Sequence, residues 1–236
     1  MATSTIKLYD LKGTRSPDDK LSWSPNTWKA RYLLNIKDLD YHSEYLHFLE
    51  IPDTVRKLVP DTAFPTVPCI TDTNGQTIQD SRKIALYIDE KHPTPSVFQG
   101  GVGVHFFFEN WIMNGLSRRI FQLSVMKMFP LMDEEAQHYY RQSREKMLGT
   151  SLENIAGEPE EHIGAINNDL AEIDKILEDY DYVTGDKVGW ADIVLASMLK
   201  LAQITRPDVF ESRLINQHSN IKHWWERMEK HANNSK

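Results

Sequence analysis

Between Phe64 and Glu90 the chain reads FPTVPCITDTNGQTIQDSRKIALYIDE, and three pieces of that stretch constrain what can form there. Val67-Pro68-Cys69-Ile70 is a short apolar run that reads as a buried strand, with proline at its start, where a missing N–H does least harm to a ladder. Asn74-Gly75 separates it from Gln76-Thr77-Ile78, and Asn-Gly is a strong hairpin signal in which both turn residues take positive φ. Asp80-Ser81 then precedes Ile84, Ala85, Tyr87 and Ile88, an apolar stripe at helical spacing opened by two residue types that cap free N–H groups.

That unit offers two binding devices side by side. A helix N-terminus presents unpaired N–H donors and the positive end of a dipole, so it holds a carboxylate. The Asp80 carboxylate beside it can hold an ammonium. A ligand carrying both charges on one carbon, the α-amino-acid end of a peptide, fits the pair. Taken alone, Asp80-Ser81 reads as a helix cap; the combination with Val67-Pro68 is what points to a ligand.

Val67-Pro68, followed about a dozen residues later by Asp80-Ser81-x-x-Ile84-x-x-Tyr87-Ile88, resembles the glutathione-site signature of the soluble glutathione transferases. The resemblance implies that Pro68 is cis, that Val67 pairs with the glutathionyl cysteine, and that Asp80 and Ser81 grip the γ-glutamyl end. Glutathione is then the co-substrate.

Upstream, Ile6-Lys7-Leu8-Tyr9 alternates as a strand does. Asp10 to Trp23 is a polar connection longer than the roughly two to six residues usual between strand and helix, and reads as a wall or lid of the site or as a surface insertion. Ser24-Pro25 opens a helix carrying Trp28, Tyr32, Leu33 and Ile36, with serine at the N-cap and proline at the first helical position. A hydroxyl at that point adds an O–H donor to the dipole, and both depress a bound thiol from its ordinary pKa of about 8.5. The Ser-Pro pair resembles the serine-type transferase sites, which makes Ser24 the catalytic residue, with Ser22 and Asn26 near enough to share or take the role. Tyr41–Leu46 reads as a second strand and Val55, Arg56 and Leu58 as a short helix. The order β-α-β-α-β-β-α is then thioredoxin-like. Cys69 reads as a small buried hydrophobe.

His92-Pro93-Thr94-Pro95 and the glycines at 100, 101 and 103 mark a boundary, after which every pattern is helical. Phe106 to Leu123 reads as one long aromatic helix and Met132 to Leu148 as a more polar one. His162 to Leu177 gives a helical stripe, Trp190 to Ala196 a central buried helix, and Ile221, Trp224, Trp225 and Met228 a last one. Gly189-Trp190-Ala191-Asp192 resembles the Ser/Thr-x-x-Asp capping box of the transferases, with glycine in place of the hydroxyl residue. The expected organisation is a thioredoxin-like glutathione-binding domain over residues 1–94 and an all-α domain over 103–236 carrying a hydrophobic substrate site. Trp23, Phe107, Trp111, Met126 and Tyr139 are the candidates to line that site, with flat aromatic ligands in view.

A net charge of −7 argues against nucleic acid as a main partner. No apolar run approaches the roughly twenty residues of a membrane span, and the N-terminus lacks the pattern of a secretory signal. With Cys69 the only cysteine, a cytoplasmic address is expected, and the Asn233 sequon carries no meaning there. The nine histidines are scattered without metal-ligand spacing, so no metal is expected. The first-half text resembles the fungal FuA, etherase-related class. This implies a cytosolic homodimer that conjugates glutathione to hydrophobic aromatic electrophiles, or cleaves aryl ethers with it. The alternative is a non-catalytic, glutathione-dependent carrier of such compounds.

Overall fold

A computed structural model describes residues 5–232; Asn233 and its sequon lie outside them. Contacts divide the chain into two compact units. One holds the chain up to Pro95 together with Phe129–Ser143, and the other Ser96–Met128 and the chain from Arg144 onward.

The first unit is built on a four-stranded sheet of β1 (Ile6–Lys12), β2 (Tyr41–His47), β3 (Cys69–Thr71) and β4 (Thr77–Gln79), in the order β2-β1-β3-β4. β1 and β2 run parallel from Ile6↔Tyr41 to Lys12↔His47. The other two pairings are antiparallel, through Leu8↔Ile70 and Ile70↔Ile78. Three helices accompany it, α1 (Pro25–Ile36), α2 (Ile51–Leu58) and α3 (Ser81–Lys91), in the thioredoxin-like order expected. Leu8, Leu33, Ile70, Ile84 and Ile88 are fully buried, so the apolar stripes of α1 and α3 and both faces of the central strands supply the core. The two helices pack together. Lys37, the C-cap of α1, donates from Nζ to Asp89, His92 O and Pro95 O (2.5, 2.6 and 2.5 Å), closing the C-terminal end of α3.

Two local expectations are corrected. The hairpin between β3 and β4 is not a two-residue Asn-Gly turn: only Gly75 has positive φ (84°), and its N–H donates to Asp72 O at 2.8 Å. Thr73 and Asn74 form the turn and Gly75 the left-handed residue after it, the usual three-residue hairpin. The connection before α1 is also shorter than it reads, because β1 continues to Lys12 and places Asp10 inside the sheet, fully buried.

Phe129–Ser143, which the sequence division placed in the all-α part, belongs by its contacts to the sheet-bearing unit. A 3-10 segment (Val125–Leu131) leads into α6 (Glu134–Leu148), whose first turn is capped by Asp133 through the N–H of Ala136 at 3.0 Å. Met132 and Asp133 therefore precede the helix that the sequence starts at Met132. The rings of Phe129, Tyr139 and Tyr140 join Phe48 and Trp23 in one aromatic cluster, and the backbone at Gly13 closes against that of Leu131.

The second unit is helical. The long aromatic helix expected from Phe106 to Leu123 is two helices, α4 (Val102–Asn114) and α5 (Leu116–Ser124), broken at Gly115 (φ −113°, ψ −93°). Short α7 (Leu152–Ala156), α8 (Pro159–Ile176), α9 (Trp190–Thr205), short α10 (Pro207–Val209) and α11 (Ser219–Glu229) follow. α9 is buried along nearly its whole length and packs on α4 and α5. At its start Asp192 Oδ2 accepts the N–H of Gly189 at 2.9 Å, and Oδ1 accepts Val183 N–H and the Trp224 indole N–H, both at 2.8 Å. No described helix is long and apolar enough to cross a membrane.

Candidate functional site

Ser24 is the N-cap of α1: its Oγ accepts the N–H of Thr27 at 3.3 Å, and Pro25 takes the first helical position. The cap uses one oxygen lone pair, and among the described residues no acceptor takes the hydroxyl hydrogen. An O–H whose oxygen already accepts a hydrogen bond is a stronger donor for it. Ser22, also buried, is arranged the opposite way. Its hydroxyl donates inward to Asp10 Oδ1 at 2.8 Å, and its carbonyl accepts the Trp28 indole N–H at 2.9 Å. Asn26 sits exposed in the first turn of α1. Of the three residues, Ser24 is the one with a hydroxyl proton to offer at a helix mouth.

The second focus lies where β3 begins and α3 starts. The Val67–Pro68 peptide is cis. Val67 is buried, and among the described residues its N–H and C=O make no hydrogen bond. Asp80 and Pro68 are joined directly, Asp80 N–H donating to Pro68 O at 3.3 Å. Asp80 has φ 83° and ψ 129°, a left-handed conformation that a non-glycine residue adopts at a cost of about 1–3 kcal/mol. Its Oδ1 caps α3 through the N–H groups of Arg82 and Lys83 (3.0 and 3.1 Å), so the carboxylate that the sequence offers to an ammonium is partly engaged by its own helix. The exposed side chain also borders a groove of about 580 Å³ with Asp61, Phe64, Thr66, Gln79 and Lys83. Ser81 is the first residue of α3 and is buried. Cys69 is fully buried as expected, and burial pushes its thiol up to about 12.

The residues expected to line a substrate site separate. Trp23 and Tyr139 are both in the first unit, bridged by Phe48, which stacks on Trp23 (6.0 Å, 19°) and meets Tyr139 edge-on at 5.6 Å. Trp23 is only 5% exposed, so its ring is packed by its neighbours and is not an open wall. Phe107 and Trp111, on α4, belong to the second unit and are 76% and 39% exposed; Met126, in the 3-10 segment, is half-buried.

The model of the glutathione S-transferase C-terminal domain matches residues 103–231, and that of the N-terminal domain matches residues 21–96. The chain belongs to the glutathione S-transferase family. Among solved structures, this transferase is similar to GSTFuA3 from Phanerochaete chrysosporium, with a TM-score of 0.85 at 25% identity over 100% of both chains. It is also similar to the glutathione S-transferase CsGST63524 of Ceriporiopsis subvermispora, solved in complex with glutathione. There the TM-score is 0.82 at 25% identity, over 97% of this chain and 98% of that one. The glutathione S-transferase-like protein ustS of Aspergillus flavus is 22% identical, over 83% of this chain and 79% of its own.

Three features of this transferase escaped the sequence reading. Nothing in the residues around Phe48 marks it out, and only the fold shows it bridging Trp23 and Tyr139. The ion pair of Asp10 with Arg31 was legible in principle: a carboxylate within the apolar run of β1 needs a partner, and an arginine beside the apolar stripe of α1 is one. Gly189 reads as a lost cap, yet a Cβ there would lie 2.6 Å from His105 Cε1. The imidazole of His105 occupies the space and accepts the Ala191 N–H through Nδ1 at 3.3 Å, a link between residues far apart in sequence.

Proposed function

We propose that the chain is a serine-type glutathione transferase that joins glutathione to hydrophobic aromatic electrophiles or uses it to cleave aryl ethers. The observation that carries this reading is the Ser24 hydroxyl, capping α1 through its oxygen while its proton stays free. Glutathione lies extended over the 1–94 domain. Its γ-glutamyl end rests at the start of α3, where Ser81 N–H makes no hydrogen bond among the described residues and Asp80 supplies negative charge. Its cysteine backbone pairs with the unbonded backbone groups of Val67. Ser24 donates its O–H to the sulfur and the α1 dipole adds to the same effect; a drop of one to two pKa units raises the thiolate fraction at neutral pH about tenfold or more. The thiolate is the nucleophile. Apolar surface for the second substrate comes from the 103–236 domain, where Phe107 and Trp111 are exposed and Met126 is half-buried. The glutathione complex of the Ceriporiopsis protein supports the co-substrate. A cytoplasmic homodimer is part of the same reading.

Titration of the thiolate absorbance of bound glutathione in wild type and in Ser24→Ala tests it. The expected result is a lowered thiol pKa in wild type that returns toward the solution value in the variant. Wild-type glutathione ionising no more readily than in water would remove the enzyme reading and leave a carrier of hydrophobic ligands.

A further inference from the structure

Ser24 stands two residues after a point held from both sides. The Ser22 hydroxyl donates to Asp10 Oδ1 (2.8 Å), and the Ser22 carbonyl accepts Trp28 Nε1–H (2.9 Å) from the second turn of α1. Asp10 is fully buried, and its other oxygen takes two donors from Arg31, Nε at 2.9 Å and Nη2 at 2.7 Å, while Leu11 N–H donates to Oδ1 at 2.7 Å. Arg31 is fixed in turn by Ser43 Oγ (3.1 Å) and Tyr45 Oη (2.8 Å) on β2, with its guanidinium against the rings of Trp28 and Tyr45. Every polar atom of the carboxylate is thus engaged, and the chain entering α1 is bolted to β1 and β2.

A buried ion pair is a poor source of stability, since apolar residues of equal volume often do as well. What it supplies is a fixed position. A displacement of about 1 Å in a catalytic group can cost roughly a hundredfold in rate. We infer that Asp10, through Ser22, is the positioning residue that sets where the Ser24 hydroxyl points, with Trp28 closing the clamp at the Ser22 carbonyl. The inference rests on the reading of Ser24 as the thiol-activating group. It also assigns Ser22 a role different from thiol activation: its proton is spent on Asp10, so it orients the neighbouring serine instead of donating to sulfur.

The test is the titration of the bound glutathione thiol in the full chain, in four forms: wild type, Ser22→Ala, Ser24→Ala and the double variant. Ser22→Ala is expected to lower the thiolate fraction at neutral pH about tenfold, one pKa unit, with the dissociation constant of glutathione unchanged. In the Ser24→Ala background the same substitution is expected to add nothing, because the two act through one hydroxyl. Trp28→Phe, which keeps the ring against Arg31 and removes the N–H, is expected to shift the thiol in the same direction by less. It carries the test should Ser22→Ala not fold. A wild-type thiol titration in Ser22→Ala and Trp28→Phe overturns the inference, as do independent, additive losses in the double variant. If Ser24→Ala moves the titration and Ser22→Ala does not, only the clamp fails. If Ser24→Ala moves nothing, the serine-type reading fails and takes the clamp with it.

Discussion

The N–H of Asp80 donates to the carbonyl of Pro68 at 3.3 Å, so the residue that caps α3 is tied to the proline that opens β3. Oδ1 of Asp80 caps its own helix, and in the proposed function the carboxylate has a second task, supplying negative charge at the γ-glutamyl end.

Asp80→Asn separates them. Asparagine caps helices as well as aspartate and tolerates positive φ, so stability is expected to stay within about 0.5 kcal/mol of wild type. The charge is lost, and glutathione affinity is expected to fall roughly tenfold, as for a charge-assisted contact made neutral. Thermal unfolding and isothermal calorimetry with glutathione check the two halves. A variant that binds as tightly as wild type would reduce Asp80 to a cap.

Gly189→Ser is expected to destabilise, although it restores the capping-box residue that the resemblance puts there. The new Cβ would meet His105 Cε1 at 2.6 Å and Thr184 Oγ1 at 2.9 Å, and His105 is fully buried and held by Gln99 O at 2.9 Å. Overpacking of this kind costs typically about 1–3 kcal/mol, against roughly a few tenths of a kcal/mol that a serine cap would return over glycine. Urea unfolding of Gly189→Ser gives the sign; a stabilised variant would show that the His105 side gives way.

Asp72 should make stability fall in acid. Burial works against its carboxylate, but Lys91, the Tyr87 hydroxyl and the Thr73 N–H outweigh it and hold the pKa down to about 2, below the ordinary 3.8. Folding therefore favours the charged form. The contribution is complete above about pH 4 and is lost as pH falls through 2, about 2 kcal/mol in all. Urea midpoints across that window, compared between wild type and Asp72→Asn, measure it. Equal slopes in the two proteins would refute the assignment.

Cys69 should be silent toward alkylating reagents in the folded protein. It has no exposed surface, and burial pushes its thiol up to about 12, so little thiolate exists at neutral pH. Rapid labelling in urea with none in native buffer is expected; fast native labelling would mean that the start of β3 opens readily.

Much of the first unit was legible because its signals are local. Ser24-Pro25 and Asp80-Ser81 cap the helices that follow them, and the alternation of Ile6 to Tyr9 with the apolar run at Cys69 places two paired strands. Elsewhere two local states are close in energy and packing chooses between them. A glycine in a helical pattern is tolerated, so Phe106–Leu123 reads as one helix until Gly115 breaks it. Asn74-Gly75 fits either hairpin loop, and the pairing of Thr71 with Thr77 leaves five residues between them, which selects the longer one.

The chain's order of residues by itself determined the thioredoxin-like succession of strands and helices, both helix caps at the proposed site and the membership these motifs signal. Those depend on neighbours within a turn or two, and short-range sterics and hydrogen bonding are written in the residues themselves. Only the tertiary structure decided that the Ser22 proton goes to Asp10 while that of Ser24 stays free, that Phe48 bridges Trp23 and Tyr139, and that Gly189 makes room for His105. Each depends on groups brought together from distant parts of the chain, where burial leaves a polar atom no water to turn to and a ring no second place to fit.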